Sequence, residues 1–248
     1  MKVIFLGVGE AFDSIPNTSI LVESSANILL DCGYSIPPEL WKYNSNPEYL
    51  DAIFLSHSHA DHTFGLPAVL MRMCSEDRKK PLALICQPEM KKYIEDMIEL
   101  GYRGSLKKIR GKFGIGYLEA AASRPLQFAD LKLSFARPRH PVNVTAIRID
   151  MGSKSLCYSS DGAITEETAS LYRNADMLIH EAYLASGHVE GHSSISDVIS
   201  MASSIGVRKL ALVHINRELA RKKEDLLRIA RPEGIEVLMP NSMDYVEL

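Results

Sequence analysis

The segment from residue 57 to residue 62 is the part of the sequence best suited to bind metal. It reads His57-Ser58-His59-Ala60-Asp61-His62. In an extended segment residues i and i+2 point the same way, so His57 and His59 can hold one ion together. Four candidate ligands within six residues would crowd one ion, but they suit two ions about 3.5–4 Å apart. The spacing predicts a dinuclear metal site. Its imidazole and carboxylate ligands favour Zn²⁺, with Mn²⁺ and Fe²⁺ as alternatives.

Polar residues able to bind metal also follow apolar runs in the second half of the chain. They are Asp161 after Ser155–Ser160, His180 after Asp176–Ile179 and His214 after Lys209–Val213. In α/β architectures the chemistry lies at strand ends, where the backbone is rigid and helices cover the faces of the sheet. The pattern is therefore typical of a functional site built on strand ends.

Short apolar runs separated by turn residues and longer runs with helical spacing predict an α/β protein. The N-terminal runs Lys2–Leu6, Thr18–Val22 and Asn27–Asp31 predict a β meander, and Ala52–Leu55 predicts a further strand before the His-rich segment. Helical spacing covers Phe64–Cys74, Pro88–Leu100, Glu166–Arg173, Ser194–Ile205 and Glu218–Ala230. We expect a single domain over residues 1–248 with two similar halves that meet near residues 120–130.

Composition and cysteine usage favour a cytoplasmic protein. The 248 residues are 46% hydrophobic with a net charge of −3, and no apolar run approaches the length needed to cross a bilayer. The four cysteines are scattered with no CxxC spacing, which is typical of a reducing compartment. The N-terminal residues are interpreted as a first strand and not as a signal peptide.

One stretch departs from the acidic balance of the chain. Arg103–Lys112 holds five basic residues and no acidic residue. Such a stretch binds the phosphates of RNA or faces solvent without a partner, and the sequence leaves both interpretations open.

The His-rich segment resembles the HxHxDH motif of the metallo-β-lactamase superfamily, and the resemblance extends over nearly the whole chain. The segments Gly7-Val8-Gly9-Glu10, Asn17-Thr18-Ser19 and Leu29-Leu30-Asp31-Cys32-Gly33 are similar to its N-terminal signature. The resemblance implies an αββα four-layer sandwich of two mixed β-sheets flanked by helices.

The same resemblance implies a set of seven metal ligands. His140, Asp161 and His214 follow the motif in the order in which the superfamily supplies its remaining ligands. The implied site has His57, His59 and His140 on one ion, Asp61, His62 and His214 on the other, and Asp161 bridging the two.

Within the superfamily the chain is most similar to the ribonuclease Z and phosphodiesterase branch. The similarity lies in His180-Glu181-Ala182, His192-Ser193-Ser194 and the run Leu210–His214. It implies that a metal-bridging hydroxide attacks phosphorus, that Asp61 accepts a proton from the attacking water, and that His192 protonates the leaving group. Glu181 is expected to orient His192. A homodimer is expected from the resemblance alone.

Two other functions remain open from the sequence. The same site can hydrolyse a carbonyl substrate such as a lactone or a thioester, or the chain can be an inactive protein that binds nucleic acid or a metabolite. RNA is an expected partner of the leading interpretation through Arg103–Lys112, although this stretch is shorter than the basic arm of ribonuclease Z.

Overall fold

A computed structural model describes residues 1–222, 226 and 234–248 of the chain. The strands in these residues are β1 Lys2–Gly7, β2 Ser19–Glu23, β3 Ile28–Leu30, β4 Ala52–Phe54, β5 Leu82–Cys86, β6 Ile115–Glu119, β7 Leu126–Phe128, β8 Leu131–Ala136, β9 Ala146–Met151, β10 Lys154–Tyr158, β11 Met177–Glu181, β12 Lys209–Val213, β13 Glu236–Leu238 and β14 Tyr245–Glu247. The helices are α1 Ile36–Tyr43, α2 Ala60–Thr63, α3 Leu66–Ser75, α4 Met90–Gly101, α5 Ser105–Arg110, α6 Glu166–Tyr172, α7 Ile195–Ser204 and α8 Arg217–Ala220.

The strands form two mixed sheets, each with seven strands in the described residues. The first has the order β14-β1-β2-β3-β4-β5-β6 and the second the order β13-β12-β11-β10-β9-β8-β7. The chain passes from one sheet to the other between β6 and β7, and only β14 returns to the first sheet. The expectation of one domain with two similar halves stays a prediction.

Three apolar layers hold the sandwich together. One lies between the sheets and includes Phe5, Phe54 and Phe135. Another packs α1, α3, α4 and α5 on the outer face of the first sheet, and a third packs α6 and α7 on the second. Strands with both faces buried read as nearly continuous apolar runs, which explains why β4, β11 and β12 were visible in the sequence. The layers confirm the predicted αββα sandwich.

The parallel parts of both sheets bring their strand ends to one edge. β3 to β6 run parallel in the first sheet, and β10 to β13 run parallel in the second. Asp31, Ser160 and His214 follow β3, β10 and β12, and each has a positive φ, of 61°, 55° and 52°. The left-handed conformation is unfavourable for these residues, and such strain concentrates at functional sites. These backbone turns lie at the edge that carries the predicted ligands.

The predicted helices agree with α3, α4, α6 and α7 to within two residues at each end. The Ser194 side chain accepts a hydrogen bond from the Asp197 backbone N–H at the start of α7 and caps this helix. The predicted helix Glu218–Ala230 begins near α8, but residues 223–225 and 227–233 lie outside the described part of the chain. No helix within the described residues is long and apolar enough to span a bilayer.

The basic stretch Arg103–Lys112 covers the end of the α4–α5 turn and helix α5, the shorter half of a helical hairpin, and does not form an extended arm. Only the residues 102–104 separate α4 from α5, and α5 packs Leu106 and Ile109 into the core. Arg110 pairs with Glu95 at 2.7 Å and Lys112 pairs with Asp77. The stretch therefore faces solvent along one short helix, and two of its five basic side chains already have acidic partners.

A buried arginine joins the loop before β4 to the loop before β5. The Arg78 guanidinium donates hydrogen bonds to the carbonyl oxygens of Lys80, Leu50 and Pro81 at 2.7, 2.7 and 2.9 Å, and also to that of Pro47. The residue is fully buried. Because substitution leaves these carbonyl oxygens without a donor, each loses the free energy of a buried hydrogen bond.

We expect Arg78→Met to lower the free energy of unfolding by about 3 kcal/mol or more. Urea denaturation of the metal-free protein measures the effect. Arg110→Met is the matched control, since it removes a partly exposed ion pair worth about 0–1 kcal/mol. Equal stability losses in the two variants would contradict the assigned role of Arg78.

Candidate metal centre

Four predicted ligands form one group at the strand ends. Ligand atoms of Asp61, His62, Asp161 and His214 all lie within 4.8 Å of one another, and all four residues are buried. His62 Nε2 lies 3.2 Å from Asp61 Oδ2 and 3.3 Å from Asp161 Oδ1. His214 Nε2 lies 3.4 Å from Asp61 Oδ2 and 3.5 Å from Asp161 Oδ1. Short helix α2 carries Asp61 and His62, whereas Asp161 and His214 follow strands of the second sheet.

A second group shares Asp161 with the first. Ligand atoms of His57, His59 and Asp161 lie within 4.8 Å of one another. His57 Nε2 is 3.9 Å from Asp161 Oδ2. His140 does not join the described groups that meet this limit, but its ring centroid lies 5.2 Å from that of His59 and 5.5 Å from that of His57. The structure thus places His140 beside the second group.

Asp161 faces both groups with different oxygens. Oδ1 faces His62 and His214, and Oδ2 faces His57. Burial alone would raise the pKa of this carboxyl group, but His214 and His62 hold its pKa well below the usual value. Asp161 is therefore a carboxylate that lies between two sets of histidines.

The pKa values of three buried or half-buried histidines in and beside the two groups are shifted in different directions when no ion is bound. Burial, and then the neighbouring His62, lower the pKa of His57 well below its usual value. Burial lowers the pKa of His140 to about 4. For His62, burial acts in the opposite direction to Asp161 and Asp31, and the two carboxylates raise its pKa well above the usual value. His57 and His140 are thus neutral, as metal ligands must be.

Asp31, which the sequence offered only as part of a signature, lies directly behind the ligands. Its Oδ2 accepts hydrogen bonds from His62 Nδ1, Ser56 Oγ and Tyr158 Oη, each at 2.8 Å. Its Oδ1 accepts one from the Ser56 backbone N–H, also at 2.8 Å. A histidine that binds a metal through one ring nitrogen generally donates a hydrogen bond from the other ring N–H to a carboxylate oxygen or a similar acceptor.

A third cluster lies beside the first group and contains the predicted Glu181 and His192. Ligand atoms of Glu181, His192 and His214 lie within 4.8 Å of one another. Glu181 Oε1 accepts a hydrogen bond from the Ser193 backbone N–H at 2.7 Å, and Oε2 accepts one from the Tyr183 backbone N–H at 3.1 Å. His192 Nδ1 is 3.6 Å from Glu181 Oε1, which is longer than a hydrogen bond.

The ring of His192 is held mainly by stacking. It lies against the Tyr183 ring, with centroids 4.9 Å apart and planes at 27°, and it also stacks on His214 at 6.0 Å. Tyr183 was not predicted as a site residue, although it directly follows the His180-Glu181-Ala182 motif. His180 itself is buried away from the site against Tyr172, so it has a structural role.

A cavity of about 370 Å³ opens onto the groups. Its floor includes Asp61, Asp161, His192 and His214, whereas its rim includes Phe12 and Tyr34. Phe12 is 80% exposed and Tyr34 is 49% exposed. Tyr34 donates a hydrogen bond to the Ala11 carbonyl oxygen, and Glu10 accepts one from the Phe12 backbone N–H at 2.9 Å. An aromatic wall thus stands above a polar floor.

The donor set fits divalent metal ions. Nε2 of His57 and Nε2 of His62 are buried, and neither makes a hydrogen bond of suitable geometry within the described part of the chain. Buried polar atoms without a partner are rare in proteins and require an explanation. Both atoms face the carboxylate oxygens of Asp161, and imidazole with carboxylate is a donor set that binds zinc and related ions.

Comparisons with known proteins agree with this architecture. Ribonuclease Z of Methanosarcina mazei is 27% identical over 302 aligned positions, which cover 100% of this chain and 98% of that protein. The human tRNase Z short form has a TM-score of 0.79 at 20% identity, over 100% of this chain and 99% of that chain. The metallo-β-lactamase fold protein YhfI of Bacillus subtilis has a TM-score of 0.79 at 22% identity, over 99% and 98% of the two chains.

These similarities confirm the predicted metallo-β-lactamase fold and the resemblance to ribonuclease Z. They also confirm the prediction of a metal-dependent hydrolase. A further match is to the family described as Anti-Pycsar protein Apyc1, over residues 1–230. Because this match spans most of the chain, the chain belongs to the family of Anti-Pycsar protein Apyc1.

Proposed function

We propose that the chain is a phosphodiesterase that uses two divalent metal ions, with Zn²⁺ favoured. The observation that supports two ions is the position of Asp161, whose two carboxylate oxygens face different sets of histidines. Similarity to ribonuclease Z supports a phosphodiester as the substrate.

In this proposal the seven predicted metal ligands are divided between two ion positions. His57, His59 and His140 would hold one ion, Asp61, His62 and His214 would hold the other, and Asp161 would be shared by both. When bound, the ions supply positive charge for the phosphate oxygens and lower the pKa of a water molecule.

Side chains of the protein accept and donate the protons of the reaction. Asp61 lies at the floor of the cavity and accepts a proton from the attacking water. His192 turns Nδ1 toward Glu181, which leaves Nε2 to donate a proton to the departing alkoxide. Burial raises the pKa of Glu181. This carboxyl group accepts backbone N–H groups on both sides of the His192 loop, so it positions the loop more than the ring.

Hydrolysis of a synthetic diester tests the proposal. We expect the metal-free protein to be inactive on bis-p-nitrophenyl phosphate and to gain activity with Zn²⁺ or Mn²⁺. A lactone and a thioester serve as comparison substrates. The proposal fails if protein with two bound ions leaves the diester intact, or if it prefers a carbonyl substrate by orders of magnitude.

RNA binding through Arg103–Lys112 is a separate part of the proposal and has less structural support. Arg110 and Lys112 are paired with acids, and the hairpin has no extended arm. The Methanosarcina relative aligns over 302 positions against the 248 residues of this chain, so that relative carries insertions that this chain lacks. Because the α4–α5 hairpin lacks an extended basic arm, we expect the protein to cleave a tRNA precursor much more slowly than the synthetic diester.

A homodimer and a cytoplasmic location complete the proposal. The four cysteines are buried and free, which supports a reducing compartment. The dimer rests on the resemblance to the superfamily, and light scattering at several concentrations measures it.

The aromatic rim gives a prediction about substrate binding. Phe12→Ala removes an exposed ring from the wall of the cavity, so we expect KM for bis-p-nitrophenyl phosphate to rise about 3–10-fold with little change in kcat. Leu100→Ala is the control, since Leu100 is 89% exposed and lies outside the lining of this cavity. A drop in kcat without a change in KM would contradict a binding role.

A further inference from the structure

One buried carboxylate reaches both metal-binding groups. Asp31 is fully buried and makes four hydrogen bonds through its two carboxylate oxygens. Two of them come from the Oγ and the backbone N–H of Ser56, one from His62 and one from Tyr158. His62 belongs to the first group of ligands, and Ser56 contacts His57 of the second group. Asp31 is therefore connected to both groups.

The connection to the first group is direct. His62 Nδ1 is 2.8 Å from Asp31 Oδ2, and a carboxylate is an acceptor, so Nδ1 carries the hydrogen. Nε2 then points to Asp61 and Asp161. Asp31 therefore sets both the tautomer and the direction of the His62 ring.

The connection to the second group passes through one hydroxyl. Ser56 Oγ donates its single hydrogen to Asp31 Oδ2 at 2.8 Å, and it accepts a hydrogen bond from Ser160 Oγ at 2.5 Å. His57 Nδ1 lies 3.0 Å from the same Ser56 oxygen. Because the Ser56 hydrogen is already used by Asp31, His57 Nδ1 must be the donor, and the lone pair of Nε2 faces Asp161.

We propose that Asp31 is a shared positioning residue for both metal ions, acting on His62 directly and on His57 through Ser56. This inference rests on the proposed two-metal site. The inference assigns different effects to two neighbouring side chains. Loss of Ser56 Oγ lowers the affinity for the ion held by His57 only, whereas loss of the Asp31 charge lowers the affinity for both ions.

Tyr158 provides the matched control. Its hydroxyl donates to the same Asp31 Oδ2 at 2.8 Å, and the residue is buried like Ser56. No hydrogen bond joins it directly to a histidine in the described residues, although it contacts Ser160, whose Oγ lies 3.5 Å from His57 Nδ1. Removal of its hydroxyl leaves Asp31 with three donors. Tyr158→Phe therefore measures how much the loss of one hydrogen bond to Asp31 affects Zn²⁺ affinity when the bonds to His62 and Ser56 are kept.

The test is Zn²⁺ binding and not catalysis. Metal-free wild type, Ser56→Ala, Asp31→Asn and Tyr158→Phe are titrated against a competing chelator, and native mass spectrometry counts the bound ions. We expect Ser56→Ala to weaken one ion by about 10–100-fold and leave the other unchanged. Asp31→Asn is expected to weaken both ions by a similar factor, and Tyr158→Phe to leave both within about threefold of wild type.

The outcomes separate this inference from the proposed function. Wild type that binds fewer than two ions would overturn the two-metal site itself. Two ions in wild type, with Ser56→Ala weakening both or neither, would overturn the assignment of Ser56 to His57. An Asp31→Asn protein that loses affinity for one ion only would overturn the shared role. If Asp31→Asn fails to fold, Ser56→Ala and Tyr158→Phe still decide the route through Ser56.

Discussion

His192→Ala is expected to lower kcat by about 10²–10⁴-fold without removing either metal ion. The side chain lines the cavity and stacks against both the His214 ring and the Tyr183 ring, but it belongs to neither of the two groups around Asp161. Its loss therefore removes a proton donor and leaves the proposed ligands in place.

The choice of leaving group makes this test specific. An alkoxide is a stronger base than p-nitrophenolate and needs a proton more, so the loss should be larger for an alkyl ester than for bis-p-nitrophenyl phosphate. His188→Ala is the control, since His188 is an exposed histidine of the same loop. Equal losses with both leaving groups, or loss of bound metal, would exclude the role as proton donor.

Asp161→Ala is expected to abolish metal binding as well as activity, because it removes a carboxylate that faces both groups. We expect both ions to be lost at micromolar Zn²⁺ and the diesterase rate to fall by at least about 10³-fold. Elemental analysis gives the metal content, and circular dichroism verifies that the variant is folded.

Asp61→Ala gives the contrasting result. Asp61 contacts only the group that contains His62 and His214, so this variant should keep the ion held by His57 and His59. A stoichiometry of zero for Asp161→Ala and one for Asp61→Ala is the pattern expected of a bridging and a terminal carboxylate. Equal stoichiometry in the two variants would exclude a bridging position for Asp161.

Local patterns in the sequence predicted an α/β protein with candidate ligands at its strand ends, whereas the αββα sandwich and the full ligand set came from the resemblance to the metallo-β-lactamase superfamily. Apolar runs mark the central strands because both of their faces are buried. The motif at His57–His62 is compact, so its ligands could be recognised together. Strands β5 to β9 and the edge strands β13 and β14 were not predicted, since short strands carry a weak periodic signal when no motif adjoins them.

The residues that support the ligands were harder to predict, because their partners are far away in the sequence. Tyr158 meets Asp31 across 127 positions, and Ser56 meets Asp31 across 25. The stacking of Tyr183 on His192 depends on the path of a loop. Such contacts have no period or motif, so they become visible only when the chain is folded.

The turn between α4 and α5 also makes the chain a convenient scaffold. Gly104 has a φ of 79°, and apart from its chain neighbours no heavy atom of the described residues lies within 4 Å of the position that a Cβ would take there. Residues 102–104 are exposed and separate two helices that pack on the outer face of the first sheet. Exposed turns of this kind accept inserted segments readily. A peptide tag or a nucleic-acid-binding module placed at this turn would give the hydrolase a new target without altering the residues around Asp161.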